Sequence, residues 1–163
     1  MTALGGLGSA SRRTKTVAES ASEMVQVVLP NDTNPLGNVL GGRVMHWIDL
    51  VGAIVAYRHC HGPIVTASLD RLDFRHPIKL GEIALLKARL VYVGRTSMEV
   101  LVDVFVDDPP KGTRNQTSAA RVTYVAIDKR GRPVPVPGLK LVTDDERRLF
   151  EEALARRRSE GRA

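Results

Sequence analysis

Asp49 is a carboxylate inside a run that is otherwise almost entirely apolar or small: Val44, Met45, Trp47, Ile48, Leu50, Val51, Ala53, Ile54, Val55 and Ala56. A helix that is apolar on every side is a buried one. An ionised carboxylate in such a helix is costly unless it is paired or wetted. Two roles would justify it. The side chain is a general base or nucleophile, or it is half of an ion pair with His46, one helical turn away. The loop from Asn34 to Leu40 leads into the paired Gly41 and Gly42. These glycines are expected to open the helix and leave backbone N–H groups free at the positive end of its dipole. Close packing of helix on sheet is their other use. Asn38 suits a helix N-cap. Cys60 is expected to be packing, because no Cys–His or Ser–His pattern accompanies it.

The rest of the chain supplies the elements that would position these groups. With 163 residues, 43% of them hydrophobic, it suits one domain with a sizeable core. The net charge is +6; residues 1–20 carry +2 and the segment from Asp144 onward is neutral, so the body of the domain is basic. That charge suits either plain solubility or attraction to a polyanion, whether nucleic acid, acidic lipid or a phosphate-bearing small molecule. The single Cys60 excludes an intrachain disulfide and points to a reducing compartment, the cytoplasm. Without a CxxC, an HExxH or a His/Cys cluster, no metal site is expected. The apolar run is too short for a bilayer, and no secretory signal is read near Met1.

Residues 1–20, rich in Gly, Ser and Ala, read as a flexible arm; 21–142 read as the domain and 143–163 as a C-terminal amphipathic helix and tail. A β-rich run from Glu23 to Leu29 ends at Pro30, Asn31 and Asp32. The apolar helix is stopped by Gly62 and Pro63. Four β-like segments follow: Ile64–His76, Glu82–Val93, Thr96–Asp107 and Gln116–Asp128. In the third, Met98, Val100, Val102, Val104 and Val106 alternate with Glu99, Asp103 and Asp107, the period of an antiparallel sheet with one covered face. Short connections at Lys79–Gly81 and Val93–Arg95 suit hairpins. Thr143 and Glu146 form a capping box for a helix with Leu149, Phe150, Ala153 and Leu154 on its apolar side. Arg156, Arg157 and Arg158 read as its solvated end. The expected domain is α+β, with helices on one side of an antiparallel sheet that curls around the central helix.

Five motifs occur in order: Asn34, Pro35, Gly37, Asn38, Gly41 and Gly42; Trp47, Ile48 and Asp49; Val65 to Asp70; Val93 to Met98; and Val125 to Asp128. With them, the chain from about Val25 to Glu152 resembles the hotdog-fold acyl-CoA thioesterases, in particular the cytosolic acyl-CoA hydrolase type. The resemblance implies a single hotdog domain, a curved antiparallel sheet of five to six strands around one long buried helix, with a peripheral C-terminal helix. It implies hydrolysis of fatty acyl-CoA to free acid and CoA without metal or bound cofactor. Subunits would join edge to edge as dimers, assembled further as trimers of dimers, with no nucleic-acid or membrane partner.

Residue by residue, the resemblance makes Asp49 the general base or nucleophile. Asn38 would orient water or the thioester carbonyl, facing Asp49 of the other subunit, and the Gly41 and Gly42 amides would receive the carbonyl oxygen. Thr66 and Ser68 would line the seam between subunits. Arg95, Thr96 and Ser97 would receive the pyrophosphate of CoA, and Lys111 and Arg114 its 3′-phosphate. Relatives often carry Asp where this chain has Asn38, and Glu where it has Leu50, which leaves Asp49 as the one acid. Two other readings stand beside hydrolysis. A non-catalytic acyl-CoA-binding regulator would need a DNA-reading helix pair that residues 1–20 are too short and Gly-rich to form. A hotdog dehydratase would need a catalytic His loop that the chain lacks.

Overall fold

The structure, a computed structural model, describes residues 12–161. Its centre is α1 (Gly41–Cys60), which begins at the paired glycines. It ends where His61 turns left-handed, at φ 54°, and returns its N–H to the Tyr57 carbonyl at 2.8 Å. The strands are β1 (Thr14–Thr16), β2 (Ser22–Val27), β3 (Ile64–Phe74), β4 (Ile83–Val93), β5 (Ser97–Asp108), β6 (Thr113–Ala126) and β7 (Gly138–Lys140). A second helix, α2 (Asp144–Ser159), follows.

Five strands form one antiparallel sheet in the order β2-β4-β5-β6-β3. Alternation decides what the sheet buries. Leu86, Leu90, Val100, Val102, Val104, Val122 and Tyr124 face inward and pack with Val44, Trp47, Ile48, Val51 and Val55 of α1. The sheet thus wraps the helix, as the resemblance implies.

Five expectations about the fold need correction. β3 and β4 are not a hairpin, because β3 pairs with β6 at the far edge. Lys79 instead bridges Asn38, and the Val39 N–H donates to the Ile78 carbonyl at 2.7 Å, so this connection is stitched to the loop ahead of α1. Secondly, α1 is not covered all round: Leu50, Ile54 and Tyr57 leave an exposed apolar stripe on the single chain, and Met45 is exposed on another side of the helix. Thirdly, the helices lie on opposite faces. Leu149 and Ala153 of α2 pack on Val91 and Leu101, which point out of the convex face.

Finally, the arm expected over 1–20 is built into the fold from Arg12 onward. β1 pairs in parallel with β7, and Val17 and Ser20 are buried; residues 1–11 lie outside the described residues. Nor are all three arginines at the end of α2 solvated. Arg156 and Arg157 hold the buried Glu99 of β5, and Arg158 alone is exposed. No helix among the described residues is long and apolar enough to cross a membrane.

Candidate active site

Asp49 lies half-buried at the middle of α1, where β3 and β6 pass beside the helix. Thr66 and Tyr124 are register partners on those strands, so one rung of the sheet delivers two hydroxyls to one carboxylate. The Thr66 hydroxyl donates to Asp49 Oδ1 at 2.8 Å. The Tyr124 hydroxyl donates to the Asp49 carbonyl at 2.9 Å and reaches Oδ1 at 3.3 Å. Burial, and then the negative charge of Asp49, raise the Tyr124 pKa far above its ordinary value, so its hydroxyl is a fixed donor. Both bonds converge on Oδ1 and leave Oδ2 open. No Lys, Arg or His pairs with Asp49 among the described residues, and His46 is exposed rather than folded onto it.

Gly52 explains how Tyr124 gets there. A Cβ at this position would collide with the Tyr124 hydroxyl, so the helix must be bare where the phenol enters. A glycine inside an apolar helix is the sequence signal for that approach. Next to Asp49, the exposed stripe of α1 forms an open apolar cavity of about 350 Å³ between Leu50, Ala53, Ile54, Tyr57, Arg58 and Ile64. A larger hollow of about 540 Å³ lies among Glu23, Lys87, Arg89, Asp103 and Phe105, outward-facing residues of the sheet away from Asp49.

The start of α1 has the expected open donors. Its N-cap, Leu40, makes no side-chain cap, and the first turn holds no acid. The Gly41 and Gly42 N–H groups find no acceptor among the described residues. A Cβ at Gly42 would meet nothing within 4 Å, so helix–sheet packing is not what keeps it a glycine.

Asn38 is not the N-cap. Its backbone bridges Lys79, and its side chain makes no hydrogen bond among the described residues. The organised amide is that of Asn34. Its Oδ1 accepts from the Leu36 N–H at 3.0 Å and the Asn38 N–H at 3.1 Å, which turns its NH2 outward as a donor. Sequence reasoning missed Tyr124 beside Asp49, and missed that the loop's fixed amide is Asn34.

Ser68 is not brought to Asp49. A register shift between Thr66 and Ser68 breaks the alternation, and the Ser68 hydroxyl donates to Asp70 instead, at 3.4 Å. Arg95 and Thr96 form the β4–β5 turn, with Arg95 exposed; the Ser97 hydroxyl lies 3.5 Å from Arg157 Nη2. On the β5–β6 tip, exposed Lys111 is paired with Asp108 at 2.8 Å and Arg114 with Asp107 at 2.6 Å. Among the described residues, no three His, Cys, Asp or Glu side chains are grouped for a metal ion.

The family model described as the thioesterase superfamily matches residues 36–113. The rat cytosolic acyl coenzyme A thioester hydrolase is 39% identical over 145 residues, which is 86% of this chain and 38% of that protein; the chain thus spans well under half of this curated relative. A hexameric acyl-CoA thioesterase, solved in its apo form, superposes with TM-score 0.87 at 38% identity, over 90% of this chain and 94% of that one. An acyl-CoA hydrolase from Staphylococcus aureus, solved with butyryl coenzyme A, coenzyme A and coenzyme A disulfide, gives 0.83 at 35% identity, over 90% and 92% of the two chains. Structures of that hydrolase also exist with one Asp, one Asn or one Thr replaced by alanine. The replaced Asn lies 15 positions before the Asp, and the Thr lies 17 after it.

Proposed function

The chain belongs to the thioesterase superfamily, and from that premise we propose that it hydrolyses fatty acyl-CoA to the free acid and coenzyme A. One observation carries the reading: a carboxylate held by two hydroxyls and, among the described residues, by no cation, one helical turn from Ala53 in the wall of an open apolar cavity. The acyl chain lies in that cavity. Asp49 Oδ2, the oxygen without a partner, takes a proton from water as the water oxygen bonds to the thioester carbon. Collapse of the tetrahedral intermediate breaks the C–S bond, and the proton passes to the departing thiolate. Direct attack by Oδ2 through an anhydride uses the same atoms. Neither route calls for a metal or a bound cofactor.

The oxyanion needs donors placed where its charge develops. Gly42 is on the same stripe of α1 as Asp49 but seven residues earlier, roughly 10 Å along the axis. One helix therefore does not present both groups to one carbonyl; a second copy does. The edge strand β3 has a partner on one side only, which suits pairing with β3 of a second chain. The hexameric relative supports self-association; our reading of the assembly is dimers joined further as trimers of dimers. The Gly41 and Gly42 amides of one chain then face Asp49 of the other.

Spacing supports Asn34, rather than Asn38, as the accompanying amide. In this chain Asn34 lies 15 positions before Asp49 and Thr66 lies 17 after it, matching the residues replaced in the Staphylococcus aureus hydrolase. The CoA end lies at the Arg95–Ser97 turn. That turn is two strands and two residues from the Thr66–Tyr124 rung, roughly 12 Å away, a gap suited to the extended pantetheine arm. The named location of the rat relative supports the cytoplasm as the place of action.

The test is free-thiol release across acetyl- to stearoyl-CoA. Turnover that rises with chain length supports a fatty acyl hydrolase. Saturable binding without thiol release would instead make the chain a non-catalytic acyl-CoA-binding regulator.

A further inference from the structure

We infer that Arg12, in the segment ahead of the domain, is a positioning residue for the CoA end of the substrate and acts by fixing the Gly94–Ser97 turn. The inference rests on the reading of that turn as the pyrophosphate site. A turn that receives an anion must present donors and turn its carbonyls away, since a carbonyl oxygen facing a phosphate repels it. Here the three carbonyls of the turn are drawn off by three separate segments. Arg12 Nη2 donates to the Gly94 carbonyl at 2.5 Å, the Val136 N–H to that of Arg95 at 3.0 Å, and the Ala126 N–H to that of Thr96 at 3.0 Å. The Gly94 N–H is consumed by the Ser97 carbonyl at 2.8 Å. What remains open is donors: the N–H groups of Arg95 and Thr96, the Thr96 hydroxyl and the exposed Arg95 guanidinium.

Arg12 is the one side chain among the three tethers. Its Nε donates to the Val136 carbonyl at 2.7 Å, so a single guanidinium fork ties the turn to the segment that also holds Arg95. Delivery is built in. β1 runs beside β7, and the Gly138 N–H donates to the Arg13 carbonyl at 2.7 Å. A Cβ at Gly138 would come within 3.2 Å of Thr14 Cγ2, so the small residue lets the two segments approach. The buried Val17 and Ser20 anchor the chain beyond β1. Without the fork, the Gly94 carbonyl is free to swing toward the phosphates.

The experiment uses the full chain and two substrates, an acyl-CoA and the same acyl group on N-acetylcysteamine, which lacks the nucleotide. Arg12→Ala is expected to raise KM for acyl-CoA by roughly tenfold, the loss of a charge-assisted hydrogen bond, with kcat little changed. For the N-acetylcysteamine thioester, KM should stay near that of the parent. Arg12→Lys can reach one of the two carbonyls but not both, so it should recover part of the loss. Arg95→Ala reports on the underlying reading. If Arg95→Ala raises KM for acyl-CoA and Arg12→Ala does not, the positioning role fails alone. If Arg95→Ala has no effect, the turn is not the CoA site and both fall. Equal damage to both substrates in Arg12→Ala and Arg12→Lys would make Arg12 a general structural tether and overturn the inference.

Discussion

Asp49 and Glu99 are two acids packed against opposite faces of one sheet, and the protein treats them in opposite ways. Glu99, on the convex face, is 2% exposed and surrounded by guanidiniums: Arg156, Arg157 at 3.4 Å and Arg121 at 4.0 Å. Arg157 is itself seated 4.6 Å over the Tyr92 ring, which stacks on Phe150 at 5.3 Å. Asp49, on the concave face, receives neutral hydroxyls only among the described residues, and both address a single oxygen. A carboxylate enclosed by cations is a structural joint, because its charge is spent on its neighbours. A carboxylate steered by hydroxyls keeps its reactivity and merely loses its freedom to turn. The contrast separates what fastens α2 from what does chemistry.

The largest expected effect lies on the convex face. Glu99→Ala should strand Arg156 and Arg157 and destabilise the fold by about 3–5 kcal/mol, read as a fall in the denaturant midpoint. Below the transition, kcat should be close to that of the parent. A Glu99→Ala protein as stable as the parent would erase the distinction. On the concave face, Asn34→Ala should lower kcat by roughly a hundredfold, the scale of a lost oxyanion donor, while Asn38→Ala costs far less. The reverse ranking would return the role to Asn38. Tyr124→Phe removes one of the two hydroxyls on Asp49 Oδ1; kcat should fall by about tenfold. No change would mean that Thr66 alone orients the acid.

The smallest effect concerns a third packed group, His59, whose Nε2 faces the Pro137 carbonyl at 2.9 Å while its buried Nδ1 has no partner among the described residues. Burial holds its pKa below the ordinary 6.5, and the charges of Lys15 and Arg12 add to that, against the Pro137 bond and Glu19. A base depressed in the folded state is protonated more readily when unfolded. Its contribution is therefore intact above the unfolded pKa and is lost as pH falls through the folded one. The Tm of the parent should drop between about pH 7 and pH 5. His59→Gln, which keeps a donor toward Pro137, should flatten that drop; an unaltered slope would assign it to other groups.

Much of this was legible in the sequence, and the exceptions share a cause. The inward alternation of Met98 to Val106, the opening of α1 at Gly41 and the capping box at Thr143 are local patterns, and local sterics and hydrogen bonds enforce them. Which strand lies beside β3 is decided by long-range pairing, and the short Lys79–Gly81 connection gave no hint of a crossover. Arg156 to Arg158 look alike as a string. Which of them is buried depends on Glu99, more than fifty residues earlier. Asn34 and Asn38 are both loop amides by residue type, and only the loop's hydrogen bonds tell them apart. Asp49 stood out from the start because one charge in an apolar helix violates a local rule.

Isosteric replacement of that charge is the most direct test. Asp49→Asn keeps the shape of the side chain and an oxygen for Thr66 and Tyr124, and removes the base. Thiol release from a long-chain acyl-CoA should fall by about a thousandfold or more, with Tm and assembly mass as in the parent. Release within a few-fold of the parent, from an equally stable protein, would contradict the assignment of the chemistry to Asp49.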